Sequence, residues 1–106
     1  MSDQSEVLKF EQQQRITKLS QAIRIGARLR PQSLCGYFDA GRSCAIGAAY
    51  EAIFGFPMKS KTDHQGVCDL YDKMPVIRGL AHSIVGWNDS GMTREAIADR
   101  LEAEGF

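Results

Sequence analysis

From residue 17 onward the apolar positions recur at three- and four-residue spacing, and no stretch alternates long enough to mark a confident strand. Leu19, Ala22, Ile23, Gly26, Ala27 and Arg30 follow a capping Thr17, and Pro31 stops that helix because it lacks the amide donor. A second helix is expected from Cys44 to Phe54, with Ser43 as N-cap and Gly55 and Pro57 as its end. Val67, Leu70 and Tyr71 give a short helix over Gly66 to Lys73 before Pro75. Val76, Ile77, Leu80, Ala81, Ile84 and Val85 carry the strongest helical period, which Gly86 to Gly91 is expected to break. Thr93 caps a last helix with Ala96, Ile97 and Leu101 inward and Arg94, Glu95, Asp99 and Arg100 outward.

The segments between are punctuation. Residues 32–42 hold Gly36 and Gly41 around Tyr37 and Phe38 and read as a loop anchored by aromatics; residues 59–65 read as an exposed polar connection. The first 16 residues are mostly polar and read as a loosely attached N-terminal tail, despite Val7, Leu8 and Phe10. The pattern therefore predicts an all-α fold: a single compact domain of four to five short helices over residues 17–106. Gly26 and Gly47 lie inside helices, where glycine costs about 0.5–1 kcal/mol against alanine. A close crossing of the first two helices at those positions is the simplest compensation.

Composition sharpens this only a little. At 106 residues, 43% apolar and 25% charged, the chain can bury one ordinary core. Thirteen basic and thirteen acidic residues cancel, which weighs against a general nucleic-acid binder. A helix-turn-helix reading of Ser90 to Ala98 is opposed by Asp99, Glu102 and Glu104, which would repel phosphate. Arg15, Lys18, Arg24, Arg28 and Arg30 make the first third basic, so solvated helix faces or a patch that steers a partner are both open. No run approaches the roughly 18 apolar residues of a membrane span, and Met1-Ser2-Asp3-Gln4 does not begin a leader. A cytoplasmic location with reduced thiols is expected, a Cys35–Cys44 disulfide arising only where the surroundings oxidise.

Three sets of residues have candidate chemistry. Cys44 opens a helix, where free N–H groups and the dipole favour a thiolate. A Cys44-dependent hydrolase would need a base from His64 or His82 and an orienting group from Asn88 or Asp89; Cys44, His82 and Asp89 are the fullest such set. Cys35, Cys44, His64 and Cys68 have the chemistry of a zinc site but lack the tight knuckle spacing of zinc motifs. Trp87-Asn88-Asp89-Ser90-Gly91 is rich in turn formers, and Asn88 or Asp89 has an obvious target in the amides that open the Cys44 helix. That contact would join Ser43, Cys44, Trp87, Asn88 and Asp89 into one local centre.

Gly41 to Ala49 and Ile84 to Asp89, with Leu19 to Ala27 and Arg30-Pro31-Gln32, resemble small uncharacterised bacterial and phage proteins. These pair a Cys-Ala-x-Gly-Ala helix start with a later Asn-Asp loop. The resemblance implies a compact domain, of phage or mobile-element origin, and carries no catalytic residue over. The expected function is a small cytosolic interaction or regulatory module that binds a protein partner and needs no cofactor, metal or membrane; self-association is compatible with it. The Cys44 hydrolase and then the zinc domain are the alternatives.

Overall fold

The computed structural model describes residues 16–106, so the expected N-terminal tail lies outside the described residues but for Ile16. Five helices follow in order: α1 Leu19–Ala27, α2 Ala45–Phe54, α3 His64–Lys73, α4 Val76–Asp89 and α5 Arg94–Ala103. A two-stranded hairpin, β1 Phe38–Asp39 and β2 Arg42–Ser43, sits between α1 and α2. The fold is mostly all-α.

The helix α2 is the centre of the molecule. Its sequence AIGAAYEAIF carries no polar face except Glu51, and every residue from Ala45 to Ala52 is buried. The helix packs on α1, α3 and α4, and α5 closes over α1. Leu19, Ala22 and Ile23 of α1, Ile77 and Ile84 of α4, and Ile97, Ala98 and Leu101 of α5 complete the core with Met58 and Leu70. Glu51 is neutralised by a two-pronged pair with Arg30, 2.7 Å at both oxygens, and the same guanidinium stands 5.1 Å over the Phe38 ring. That pair anchors the chain after α1 to the side of α2.

Gly26 is where α1 and α2 cross, since a Cβ there would run into the backbone of Ala48. Gly47 has a different neighbour. Its missing Cβ makes room for the Tyr37 carbonyl, so it seats the hairpin segment rather than α1.

Several boundaries differ from the sequence reading. Thr17 does not cap α1; Lys18 holds the N-cap position, and Gln21 Oε1 accepts the Thr17 and Lys18 amides at 3.0 and 3.1 Å. Helix α4 runs through Gly86 to Asp89, because the glycine that stops it is Gly91. Gly91 adopts φ +103°, and the Gly91 and Met92 amides donate back to the Asn88 and Trp87 carbonyls, both at 3.1 Å. Val76 at its start is exposed. In α5 Arg94 is buried while Ala96 is exposed, the reverse of the expected orientation. The residues read as a loop at 32–42 contain the short hairpin, with Ser43 also bridged to Gln32.

The charge asymmetry of the chain is partly paired off internally: Arg24 of α1 contacts Asp99 at 2.6 Å and Glu102 at 2.7 Å on α5.

Candidate functional site

The distinctive Gly41 to Ala49 segment changes direction at Ser43. Ser43 belongs to β2 and is buried, so the N-cap of α2 is Cys44, which adopts an extended backbone with its Sγ accepting the Gly47 amide at 3.4 Å. The expectation that Ser43 caps this helix is therefore corrected. The other amides at this end are also engaged. Cys44 N donates to the Tyr37 carbonyl at 3.3 Å, and Ala45 N donates to Asn88 Oδ1 at 3.0 Å.

Asn88 is fully buried, and its amide links three chain segments. Oδ1 accepts from Ala45 and from Gln32 Nε2 (2.9 Å), while Nδ2 donates to the Ser33 carbonyl at 2.7 Å. The last turn of α4 thus caps the first turn of α2 and fixes the chain ahead of the hairpin. Gln32 also donates to the Met92 carbonyl at 2.8 Å, which adds the α4–α5 connection.

Arg94 holds the opposite side of the same junction. Its guanidinium is buried without a carboxylate and donates to the Ser43 carbonyl and hydroxyl and to the Ala27 and Arg30 carbonyls, at 2.7 to 3.3 Å. Its Nε has no partner among the described residues. Burial pulls the Arg94 pKa below the usual guanidinium value, and the carbonyls at the end of α1 supply the compensating negative potential.

The residues 59–63 are not a free connection. Tyr37 N donates to the Lys61 carbonyl at 3.1 Å, and Gly36, at φ +94°, lies so close to Lys61 that a Cβ would meet its side chain. Asp63 is buried at the N-cap of α3, with one oxygen on Gly66 N and the other on Lys59 N, both 2.9 Å. Those two backbone donors hold its carboxyl below the usual aspartate pKa.

Between these anchored segments lies a cleft of about 380 Å³ lined by Cys35, Gly36, Tyr37, Cys44, Lys61, Thr62, His64, Val85 and Asp89. It therefore gathers the hairpin approach, the starts of α2 and α3, and the end of α4. Of the residues singled out in the sequence, Cys35, Cys44, His64 and Asp89 line it. His82 and Cys68 are exposed on α4 and α3 and do not; Ser43 and Asn88 stand behind it as supports. Trp87 is half-buried and stacks under the Arg100 guanidinium, 4.4 Å from the ring centroid.

The chemistry of Cys44 follows from its setting. Burial pushes its thiol pKa up, and the nearby Asp89 carboxylate adds to this, against the lowering effect of the Gly47 and Ile46 amides. The helix-start argument for a thiolate is outweighed by desolvation. An acyl-transfer site would also need free donors for an oxyanion, and here the Cys44, Ala45 and Gly47 amides are each bonded within the chain. All three cysteines are free thiols, and no cluster of three or more His, Cys, Asp or Glu side chains among the described residues is placed to hold a metal ion.

Sequence reasoning missed Arg94, Asp63, Gln32 and Lys61. Asp63 had a legible signal, being a good cap residue three positions before Gly66. Arg94 had none, since its position on the helix surface reads as solvated. No family model matches this chain, and neither a curated protein nor a solved structure matches it. Among the described residues no helix is long and apolar enough to cross a membrane.

Proposed function

We propose that this chain is a small cytoplasmic interaction module of phage or mobile-element origin, and that it docks a protein partner at the cleft between the hairpin, α3 and the end of α4. One observation carries the reading: the walls of the cleft are tied down by hydrogen bonds, buried ones from Asn88 at α4 and from Gly66 to Asp63 at the start of α3, and part-exposed ones from Lys59 to Asp63 and from Tyr37 to the Lys61 carbonyl. A recess built this way is organised before a partner arrives, so little ordering entropy is lost on binding. The test fills the recess from exposed positions. Partner capture by the wild type should be lost in Thr62→Trp and Cys35→Trp and kept in His82→Ala and Cys68→Ser, which lie outside the lining. Equal capture by all four variants would reject the cleft as the docking site.

The Cys44-dependent hydrolase stands second, with His64 replacing His82, because Cys44, His64 and Asp89 line one recess. It requires a thiol that reacts selectively with iodoacetamide near pH 6, which the buried, raised thiol opposes.

A further inference from the structure

Two thiols open onto one recess. Cys35 and Cys44 both line the cleft, Cys35 exposed and Cys44 buried in its wall, while Cys68 lies outside it on α3. The backbone brings the first two together. Ser33 N donates to the Ser43 carbonyl at 2.8 Å, and Cys44 N donates to the Tyr37 carbonyl at 3.3 Å. The chain therefore leaves the Ser43-Cys44 segment at Ser33 and is back on it at Tyr37. Cys35 is the middle residue of that excursion, so its Cα stays within about 7 Å of the Cα of each anchor. Leu34, Cys35 and Gly36 make no backbone-to-backbone hydrogen bond among the described residues. The excursion can tighten toward Cys44 without breaking either anchor. The β1–β2 hairpin has already folded back the chain between the two cysteines, so closing a ring there removes little further freedom.

We propose that Cys35 and Cys44 are a redox pair, joined under a hydroperoxide into a disulfide that crosses the recess and closes it. The exposed Cys35 sulfur attacks the peroxide; the O–O bond breaks, one water leaves and Cys35 becomes a sulfenic acid. The Cys44 sulfur then attacks the Cys35 sulfur; the S–O bond breaks, and the hydroxide leaves as water with the Cys44 proton. Two electrons pass from the two sulfurs to the peroxide, and a dithiol reductant restores both thiols. Burial of Cys44 sets this order, because it keeps the oxidant off that sulfur until Cys35 presents one to it. The bridge itself stands apart from the docking reading above; that it shuts out a partner rests on that reading.

Trypsin puts the three cysteines on separate peptides, residues 29–42, 43–59 and 62–73, because Arg42 lies between the first two. The full chain, treated with hydrogen peroxide and then alkylated, should yield peptide 29–42 joined to 43–59 and lighter by two hydrogens than the free pair. A non-reducing gel should show no linked dimer. Native iodoacetamide labelling of Cys35 should be lost as the bridge forms and should return with dithiothreitol. Under the same peroxide, Cys35→Ser should leave Cys44 a thiol, and Cys68→Ser should bridge as the wild type does. No linked peptide, Cys35 running on to sulfinic acid, a Cys35–Cys68 link or a disulfide between two chains would overturn the pair. Partner capture separates the readings. Capture kept by both the oxidised protein and Thr62→Trp, with the bridge formed, rejects docking at the cleft and leaves the pair standing. Capture lost in Thr62→Trp with no bridge formed keeps docking and rejects the pair. Capture lost in Thr62→Trp but kept by the bridged protein overturns the closing of the recess.

Discussion

The Ala45 amide donates to Asn88 Oδ1 across 43 residues of chain, at 3.0 Å. The first turn of the most buried helix is completed by the last turn of another, and the side chain that does so is itself wholly inaccessible. Asn88 is therefore the residue whose loss should be felt most widely. Asn88→Ala leaves the Ala45 amide and the Ser33 carbonyl without partners in a dry site, a cost on the order of 3 kcal/mol. Asn88→Asp restores the acceptor but turns a carboxylate oxygen toward the Ser33 carbonyl, so it should also destabilise. Urea midpoints measure both; an aspartate variant as stable as wild type would contradict this account.

Gly26 and Gly79 form an internal control for packing. A Cβ at Gly26 meets the Ala48 backbone, which cannot swing aside, whereas one at the exposed Gly79 meets nothing within 4 Å. Gly79→Ala should gain about 0.5–1 kcal/mol from helix propensity. Gly26→Ala should lose stability, because overpacking of about 1–3 kcal/mol exceeds the same gain. Thermal melts should move in opposite directions.

Arg94→Lys tests whether geometry or charge matters at the buried guanidinium. Lysine keeps the charge but cannot span Ser43, Ala27 and Arg30 together, so it should destabilise by about 2 kcal/mol or more. Ser43→Ala removes one acceptor only and should cost less. A silent Arg94→Lys substitution, read by denaturant unfolding, would show that a point charge suffices.

Asp63 predicts the acid limb of the stability curve. Its folded pKa is depressed by the Lys59 and Gly66 amides. The stabilisation is thus complete above the unfolded aspartate pKa of about 3.9 and is lost as pH falls through the lower folded value. Asp63→Asn should be less stable at neutral pH and should show a shallower decline on acidification. Melting temperatures across pH 2 to 7 would reveal it.

Thiol labelling tests the environment of Cys44. Cys35 and Cys68 are exposed and should react with iodoacetamide in the native protein, whereas Cys44 should wait for unfolding. Mass spectrometry of the labelled peptides gives the order, and Cys44 reacting first would bring the hydrolase reading forward.

The helices were legible because their apolar faces repeat, and Thr93 and Gly55 punctuate them by local chemistry; Pro31 was expected to stop α1, but α1 ends earlier, at Ala27. The caps that depend on distant partners were not legible. Ser43 looks like an N-cap by type, but pairing with β1 carries it into the hairpin and moves the role to Cys44. Gly86 looks like a break, but a helix tolerates an interior glycine when a better stop follows at Gly91. Arg94 was read as outward because its charge speaks for solvent, and only the assembled fold brings four acceptors to it. Cys44, His64 and Asp89 were each visible as reactive residue types. Their meeting at one cleft depends on the docked 59–63 segment, whose polar composition reads as free loop.

The Ala45–Asn88 bond also bears on how the molecule comes apart. It ties the first turn of α2 to the last turn of α4, so α4 cannot fray at its end without uncapping the Ala45 amide, and α2 cannot fray at its start without releasing the buried Asn88 side chain. Exchange of the Ala45 amide with deuterated solvent should then run at the rate set by global unfolding rather than by fraying. A ligand that binds only the folded recess beside it would raise the unfolding free energy of the domain as a whole.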